Sequence, residues 1–443
     1  MKKKYFGTDG IRGKVGSFPI TQPFFFKLAV SLARSKKNIK KIIIGKDTRL
    51  SCPLLENALL NGLNFVNIKS DFIGVVSTPI LSFYTNFLKY DYGIMISASH
   101  NPYYDNGIKI FKKNGEKLND REEIKIEKIL DSLKIKPNIR KKKIIVNKVL
   151  NFESYKKEIL KKFSQNKFGI RIALDCANGS VCQIAPQFFE DIGCDVIKYS
   201  SKPNGTNINK NCGAMYPKKI ARLTRQTKAD IGLSFDGDAD RVIISDEKGQ
   251  VLDGDVIIAA IVKYYGLKKQ FKFKSIVSTY MCNIGFREFL KNLKVRLYLT
   301  KVGDRYVIQK MKQARVHLGG EQSGHIIFSD NGYCGDGILT AMFIINVMSK
   351  QNIKLSELTE NLFFKNYQKL INMKTKTNSE NIIGHKEMIK VLKNIKIKYK
   401  GLDYLIRKSG TENLLRVMVQ SKNKNEVSEV LKVLVNLVKR LDD

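Results

Sequence analysis

Short runs of β-branched and apolar residues recur along this chain, each followed by apolar residues at helical spacing, and that alternation limits the fold more than any other feature. Lys41–Gly45 reads as a strand, Pro53–Leu63 as a helix, Asp91–Ile96 as a strand and Arg121–Leu133 as a charge-rich helix. Lys134–Lys148, which contains Pro137, reads as a connector. The cycle restarts with a helix near Phe152–Phe163, strand Ile170–Asp175, loop Cys176–Gly179, a helix near Ile184–Gly193 and strand Ile231–Phe235. A third round has a helix beginning near Asp255 and strands at Ser275–Thr279 and Arg315–Leu318. From about Tyr367 the pattern changes: strands are expected at Ile395–Tyr399, Tyr404–Arg407 and Leu414–Gln420, then a long amphipathic helix. Strands that alternate with helices build α/β layers. The expected fold is therefore α/β, with three similar α/β domains over 1–148, 149–252 and 253–366 and a smaller C-terminal α+β domain over 367–443. A chain of 443 residues, at about 100–200 per domain, has room for that number of cores.

Several classes fall away on composition. The apolar runs stop well short of the 18 or so residues a membrane helix needs, so no membrane partner is expected. The basic start, Met1-Lys2-Lys3-Lys4, has no apolar stretch behind it of the kind a secretory signal carries. Seven cysteines, an odd number without CxxC spacing, speak against a disulfide framework or a thiolate zinc site and for a reducing cytoplasm. The net charge of +38 invites a nucleic-acid reading, but only 16 of the 79 basic residues are Arg, and no RRM, zinc-finger or basic-zipper pattern is present. Abundant Lys, Asn and Ile fit a compositional drift, and nucleic acid is not the expected partner.

Four loops carry chemistry. Ser97-Ala98-Ser99-His100-Asn101-Pro102 follows directly on a strand, where a serine can project into a crevice or simply close an ST-turn. No G-x-S-x-G elbow accompanies it, and Lys109, ten residues past Ser99, can return to the same crevice. In Asp236-Gly237-Asp238-Ala239-Asp240-Arg241, three carboxylates within five residues need a cation or must point apart into solvent. An extended segment would separate Asp236 from Asp240 by about 13 Å, whereas Mg–O bonds are about 2.0–2.1 Å, so the segment has to curl around an ion. Gly319-Gly320-Glu321-Gln322-Ser323-Gly324-His325 suits sugar hydroxyls, or is a plain Gly-rich turn. Arg407-Lys408-Ser409-Gly410-Thr411-Glu412, followed by Arg416, combines a guanidinium fork, hydroxyls and successive N–H groups into an anion nest, or is a basic hairpin turn.

Taken together with Phe6-Gly7-Thr8-Asp9-Gly10-Ile11-Arg12-Gly13, these stretches resemble the α-D-phosphohexomutase superfamily over essentially the whole chain. The opening motif, Asn207-Ile208-Asn209 with Cys212-Gly213, and Gly320-Glu321-Gln322 look most like its bacterial phosphoglucosamine mutase branch. Ala239 stands where many relatives have Gly, and Asn413 where Pro is usual. The resemblance implies four domains around a central cleft and interconversion of glucosamine 6-phosphate and glucosamine 1-phosphate, on the route to UDP-N-acetylglucosamine. It implies Ser99 as phosphoryl carrier, with Lys109 as general acid/base and Arg12 and His325 close to the transfer. One Mg²⁺ per chain would be held by Ser99, Asp236, Asp238 and Asp240. Arg241, Glu321 and Ser323 would bind the sugar phosphate, and Arg407, Ser409, Gly410 and Thr411 would hold the phosphate that is not reacting. A glucosamine or glucose 1,6-bisphosphate would serve as primer and intermediate. Sugar phosphates are then the partners, in a cytoplasmic monomer or homodimer. A sister phosphoglucomutase or phosphomannomutase, with the same loops, is the alternative.

Overall fold

The computed structural model describes residues 3–141, 152–165, 167–266, 273–408 and 414–442. Four sheets follow one another along the chain. In the first, Ile11–Lys14, Asp105–Lys112, Tyr92–Ile96, Lys41–Lys46 and Lys69–Val75 lie side by side. The second runs Val251–Leu252, Val242–Asp246, Ile231–Phe235, Arg171–Asp175, Asp195–Tyr199, and the third Arg296–Thr300, Ser275–Thr279, Leu318–Gly320, Ile326–Phe328.

One arrangement recurs in all three. A central strand (Lys41–Lys46, Arg171–Asp175, Ser275–Thr279) pairs in parallel on both sides. One of its neighbours (Tyr92–Ile96, Ile231–Phe235, Leu318–Gly320) then pairs antiparallel with the next strand of the chain. The loops Ser97–Pro102, Asp236–Arg241 and Glu321–His325 each span that change from parallel to antiparallel pairing. Loops past the carboxyl ends of parallel strands are where open α/β sheets bind ligands. These strands are buried on both faces, as Tyr92–Ile96 and Ile231–Phe235 show, which accounts for their unbroken apolar character.

A shared core joins the three units. The helix Gly337–Gln351 is buried from Gly337 to Met348, and its apolar residues belong to one cluster with Ile43, Met95, Leu174, Phe235 and Ile276. A helix that is apolar all round must be interior. The last unit is a three-stranded antiparallel sheet, Tyr367–Lys374, Leu414–Ser421 and Asp403–Lys408, whose core with helices Lys386–Lys398 and Lys424–Asp442 is separate.

Two expected strands differ. Ile395–Tyr399 is the end of the helix Lys386–Lys398: Met388 and Ile395 are buried while Ile389 and Ile397 are exposed, a period of 3.6 rather than 2. The strand expected at Arg315–Leu318 begins only at Leu318, because Arg315 adopts a left-handed conformation (φ 53°) that ends the helix Asp304–Ala314. Part of the connector 134–148 lies outside the described residues. All seven cysteines are free. Among the described residues no helix is long and apolar enough to cross a membrane.

Candidate active site

Ser99 sits just past strand Tyr92–Ile96 with φ +52°, a conformation an L-residue holds only at some cost. Its surroundings fix it from every side. The Ser99 N–H donates to Ser97 Oγ (2.9 Å), whose hydroxyl donates to Asp47 (2.7 Å). The Ser99 carbonyl accepts from Arg49 and from Asn209 Nδ2, both at 2.9 Å. The Ser99 hydroxyl donates to Asp236 Oδ2 at 2.7 Å. Asp236, Asp238 and Asp240 are all buried, and each offers a carboxylate oxygen within 4.8 Å of the others. The loop curls as the carboxylates require. Ala239 takes φ +54°, where glycine would be unstrained, and a Cβ on Gly237 would stand 2.6 Å from the Ser99 carbonyl oxygen. Only glycine allows the acidic loop and the serine loop to meet.

Lys109 reaches this cluster from strand Asp105–Lys112. Its ammonium donates to Asp238 and Asp240, both at 2.7 Å, and lies 3.1 Å from Asp9. Burial opposes its charge, but Asp238, Asp240 and Asp9 outweigh burial and hold its pKa well above the ordinary lysine value. Asp236 has no ammonium bonded to it, and burial with its neighbours Asp240 and Asp238 outweighs Arg241 and pushes its carboxyl well up. Two further oxygens, Asp238 Oδ1 and Asp240 Oδ1, are buried without a hydrogen bond. Three interior carboxylates with one ammonium among them, and two oxygens still without a donor, fit a small divalent cation with oxygen ligands.

Further basic groups surround the carboxylates. Arg12 pairs with Asp9 through its terminal nitrogen and leaves a buried Nε without a hydrogen bond, and Arg241 Nε is likewise buried without one. His100 Nδ1 is 3.3 Å from the Ser99 hydroxyl. Burial, then Arg241 and Arg12, lower its pKa to about 2, so the ring is neutral. His325 Nδ1 lies 3.4 Å from Asp240, and its Nε2 is 3.8 Å from Asp304. Burial works against its charge, but Asp240 and Asp304 prevail and raise its pKa. Glu321 is buried, with Oε1 accepting from the Gly303 N–H at 2.9 Å, whereas Ser323 is exposed at the tip of its turn.

The structure thus brings Arg12, Ser99, Lys109, the three aspartates, Arg241 and His325 to one centre, with Glu321 beside it. Arg407 stands on the fourth sheet opposite Arg416. Burial and Arg416 lower its pKa while Glu321 pulls the other way. Ser409, Gly410 and Thr411 lie outside the described residues. No motif in the sequence marks Thr78, whose hydroxyl donates to Asp238, or Arg49, or Lys117 and Asp304, which pair with each other, and Asp9, His100 and Asn209 stand in motifs that do not show their roles. Asp47-Thr48-Arg49, charged residues just past an apolar strand, was a usable signal for Arg49; Lys117 and Asp304 have no local one.

Comparison with known proteins agrees with this architecture. The chain matches the phosphoglucomutase/phosphomannomutase α/β/α domain I over residues 3–136, domain II over 152–249, domain III over 253–366 and the C-terminal domain over 370–437. These domains, in this order around such a site, define a class of isomerases, the α-D-phosphohexomutases. Curated relatives include a protein of Aliarcobacter butzleri (strain RM4018), 41% identical with 99% of each chain covered, and one of Nautilia profundicola, 40% identical with 97% of each covered. A third, from Bartonella bacilliformis, is 37% identical over 100% of both. All three are named phosphoglucosamine mutase. The chain belongs to this phosphoglucosamine mutase family of the superfamily, whose members are intramolecular phosphotransferases.

Among solved structures, a phosphoglucomutase/phosphomannomutase family protein from Burkholderia thailandensis superposes with TM-score 0.80 at 18% identity, covering 98% of this chain and 97% of that one. Aspergillus fumigatus N-acetylphosphoglucosamine mutase, in complex with GlcNAc-6P and magnesium, gives 0.69 at 18% identity, covering 100% and 96%. At that identity the likeness is one of fold.

Proposed function

We propose that the chain interconverts glucosamine 6-phosphate and glucosamine 1-phosphate through a phosphoserine at Ser99 and a glucosamine 1,6-bisphosphate intermediate. The observation that carries the reading is the Ser99 hydroxyl, which donates to Asp236 at the edge of three buried carboxylates. The names of the relatives supply the amino sugar.

In the forward half-reaction the phosphoryl group leaves Ser99 Oγ as its bond to the sugar's free hydroxyl oxygen forms. The hydroxyl proton passes to a neighbouring base, and Ser99 is reprotonated. Lys109, buried among carboxylates, is the general acid/base: it gives its proton to Ser99 Oγ and is restored by the proton from the sugar hydroxyl, so the exchange balances. His325 and Arg12 flank the transfer, and the guanidinium groups of Arg12 and Arg241 face the equatorial oxygens, where charge spreads in a loose transition state. Mg²⁺ held by Asp236, Asp238, Asp240 and the Ser99 phosphate would neutralise charge there. Glu321 and Ser323 hold sugar hydroxyls. Arg407, with Ser409, Gly410 and Thr411, holds the distal phosphate in either orientation of the sugar. In the second half-reaction the bisphosphate, turned end for end, returns its other phosphoryl group to Ser99. A glucosamine or glucose 1,6-bisphosphate primes the serine, and the product leads towards UDP-N-acetylglucosamine in the cytoplasm. The domain boundaries proposed for this machinery are 1–148, 149–252, 253–366 and 367–443.

Ser99→Ala tests it. Turnover of glucosamine 6-phosphate should vanish while the thermal transition stays, because only the phosphoryl carrier is lost. Intact mass should show one phosphate on the wild type and none on the variant. Unchanged turnover in Ser99→Ala would defeat the reading, and a wild type faster on glucose or mannose phosphate would replace the amino sugar.

A further inference from the structure

A second group of charges lies behind the reacting centre, and none of it has a part in the mechanism above. Lys117 belongs to the first unit and Asp304 to the third, where it opens the helix Asp304–Ala314. The Lys117 ammonium bonds at once to Asp9 and to Asp304. Its side chain is only 13% exposed and that of Asp304 7%. Placing an ammonium and two carboxylates there costs solvation, and such interior ion pairs are a poor source of stability.

The ends of this bridge explain its place. Asp9 touches Lys109 (3.1 Å) and Arg12, and Asp304 faces the Nε2 of His325 at 3.8 Å. His325 and Lys109 then meet the same carboxylate, Asp240, at 3.4 and 2.7 Å. The contacts close into a ring of alternating partners: Lys109, Asp9, Lys117, Asp304, His325, Asp240. Residues of all three α/β units take part. The backbone holds Lys117 at its post, since it bridges to Phe111, which shares a strand face with Lys109.

We infer that Lys117 is a positioning residue, which sets Lys109 and Arg12 on the first unit against His325 on the third by gripping Asp9 and Asp304 where the two units meet. The inference rests on the phosphoryl-transfer reading and adds a residue to it. The same interface offers an internal control. Lys312 pairs with Glu116 at 2.5 Å on the outer side, 38% exposed, and touches no member of the ring.

The test is steady-state kinetics on glucosamine 6-phosphate with the full-length chain. Lys117→Met, which keeps the length and removes the charge, should lower kcat about 10- to 100-fold, the loss expected from misplaced reacting groups, with KM little changed. Lys117→Arg should recover part of the loss, and Lys312→Met should keep the wild-type kcat. Asp304→Asn should lose kcat as well, and the Lys117→Met/Asp304→Asn double variant should be no slower than the slower single variant. Wild-type kcat in Lys117→Met overturns the inference. So does an equal loss in Lys312→Met, or full additivity in the double variant. If Lys117→Met does not fold, Lys117→Arg and Asp304→Asn decide: wild-type kcat in Asp304→Asn overturns the inference. Failure of the underlying reading looks different, because the wild type itself would then not turn over the sugar phosphate.

Discussion

Gly237→Ala puts the geometry of the centre to a quantitative test. The added Cβ would lie 2.6 Å from the Ser99 carbonyl oxygen, 2.9 Å from Asn209 Nδ2 and 2.9 Å from Ile208 Cδ1. Even close carbon–oxygen contacts in sheets stay at about 3.3–3.6 Å, so the acidic loop and the serine loop must part by about 0.7 Å or more. Neither can yield easily. The Ser99 carbonyl is also held by Arg49, and the Gly237 carbonyl accepts from the Ser180 N–H at 2.8 Å. Overpacking of this kind costs about 1–3 kcal/mol. Parting the loops lengthens the 2.7 Å contact of Ser99 with Asp236. Displacements near 1 Å at a reacting centre cost up to about 100-fold, so kcat should fall about 10- to 100-fold while KM is little changed. The assay pairs turnover of glucosamine 6-phosphate over a Mg²⁺ series with a thermal melt. A folded Gly237→Ala enzyme with wild-type kcat and Mg²⁺ dependence would refute the claim that these two loops act as one unit.

Asp238→Asn keeps size but removes one of three charges, so Mg²⁺ titrations of activity should shift to higher concentration with kcat lowered even at saturating sugar; an unchanged Mg²⁺ midpoint would contradict the metal role. Arg407→Ala should raise KM from both the 6-phosphate and the 1-phosphate side, by the equivalent of about 1.5–3 kcal/mol for a charged hydrogen bond, and Arg407→Lys should recover only part. An unchanged kcat/KM in both directions would make that strand end structural. Asp336, capping the buried helix Gly337–Gln351 and accepting from Tyr155, has its pKa raised by burial to about 6. The folded state therefore keeps this proton to higher pH than the unfolded chain, so its contribution is full below about pH 4 and falls by on the order of 3 kcal/mol as pH rises to about 6. Denaturant melts of Asp336→Asn should lack that falling slope, and parallel pH profiles of variant and wild type would exclude it.

Legibility in the sequence followed the range of the forces involved. Strands such as Ile231–Phe235 show as apolar runs because both their faces are covered, and the acidic loop shows because three like charges are neighbours in sequence. The run Ile395–Tyr399 misled because Ile395 and Ile397 alternate with lysines, whereas packing against the antiparallel sheet decided for a helix. The bridge through Lys117 could not be read. Its bonds join residues 108 and 187 positions apart, and neither Lys117 nor Asp304 lies in a motif, although Asp9 does.

Local rules also fail at the centre in a way that bears on function. Ser99 and Ala239 both hold left-handed backbone, and three carboxylates are interior. Strain of that kind persists only where the surroundings over-determine it. Here the determinants come from separate units: Arg49 and Asp47 from the first and Asn209 and Asp236 from the second, while Lys117 ties the first to the third. The first α/β unit alone does not supply the contacts that hold Ser99, so its conformation depends on the docking of the second. The fourth unit keeps a core of its own and takes no share of that strain, which leaves Arg407 on the part of the molecule that can shift without loosening the serine.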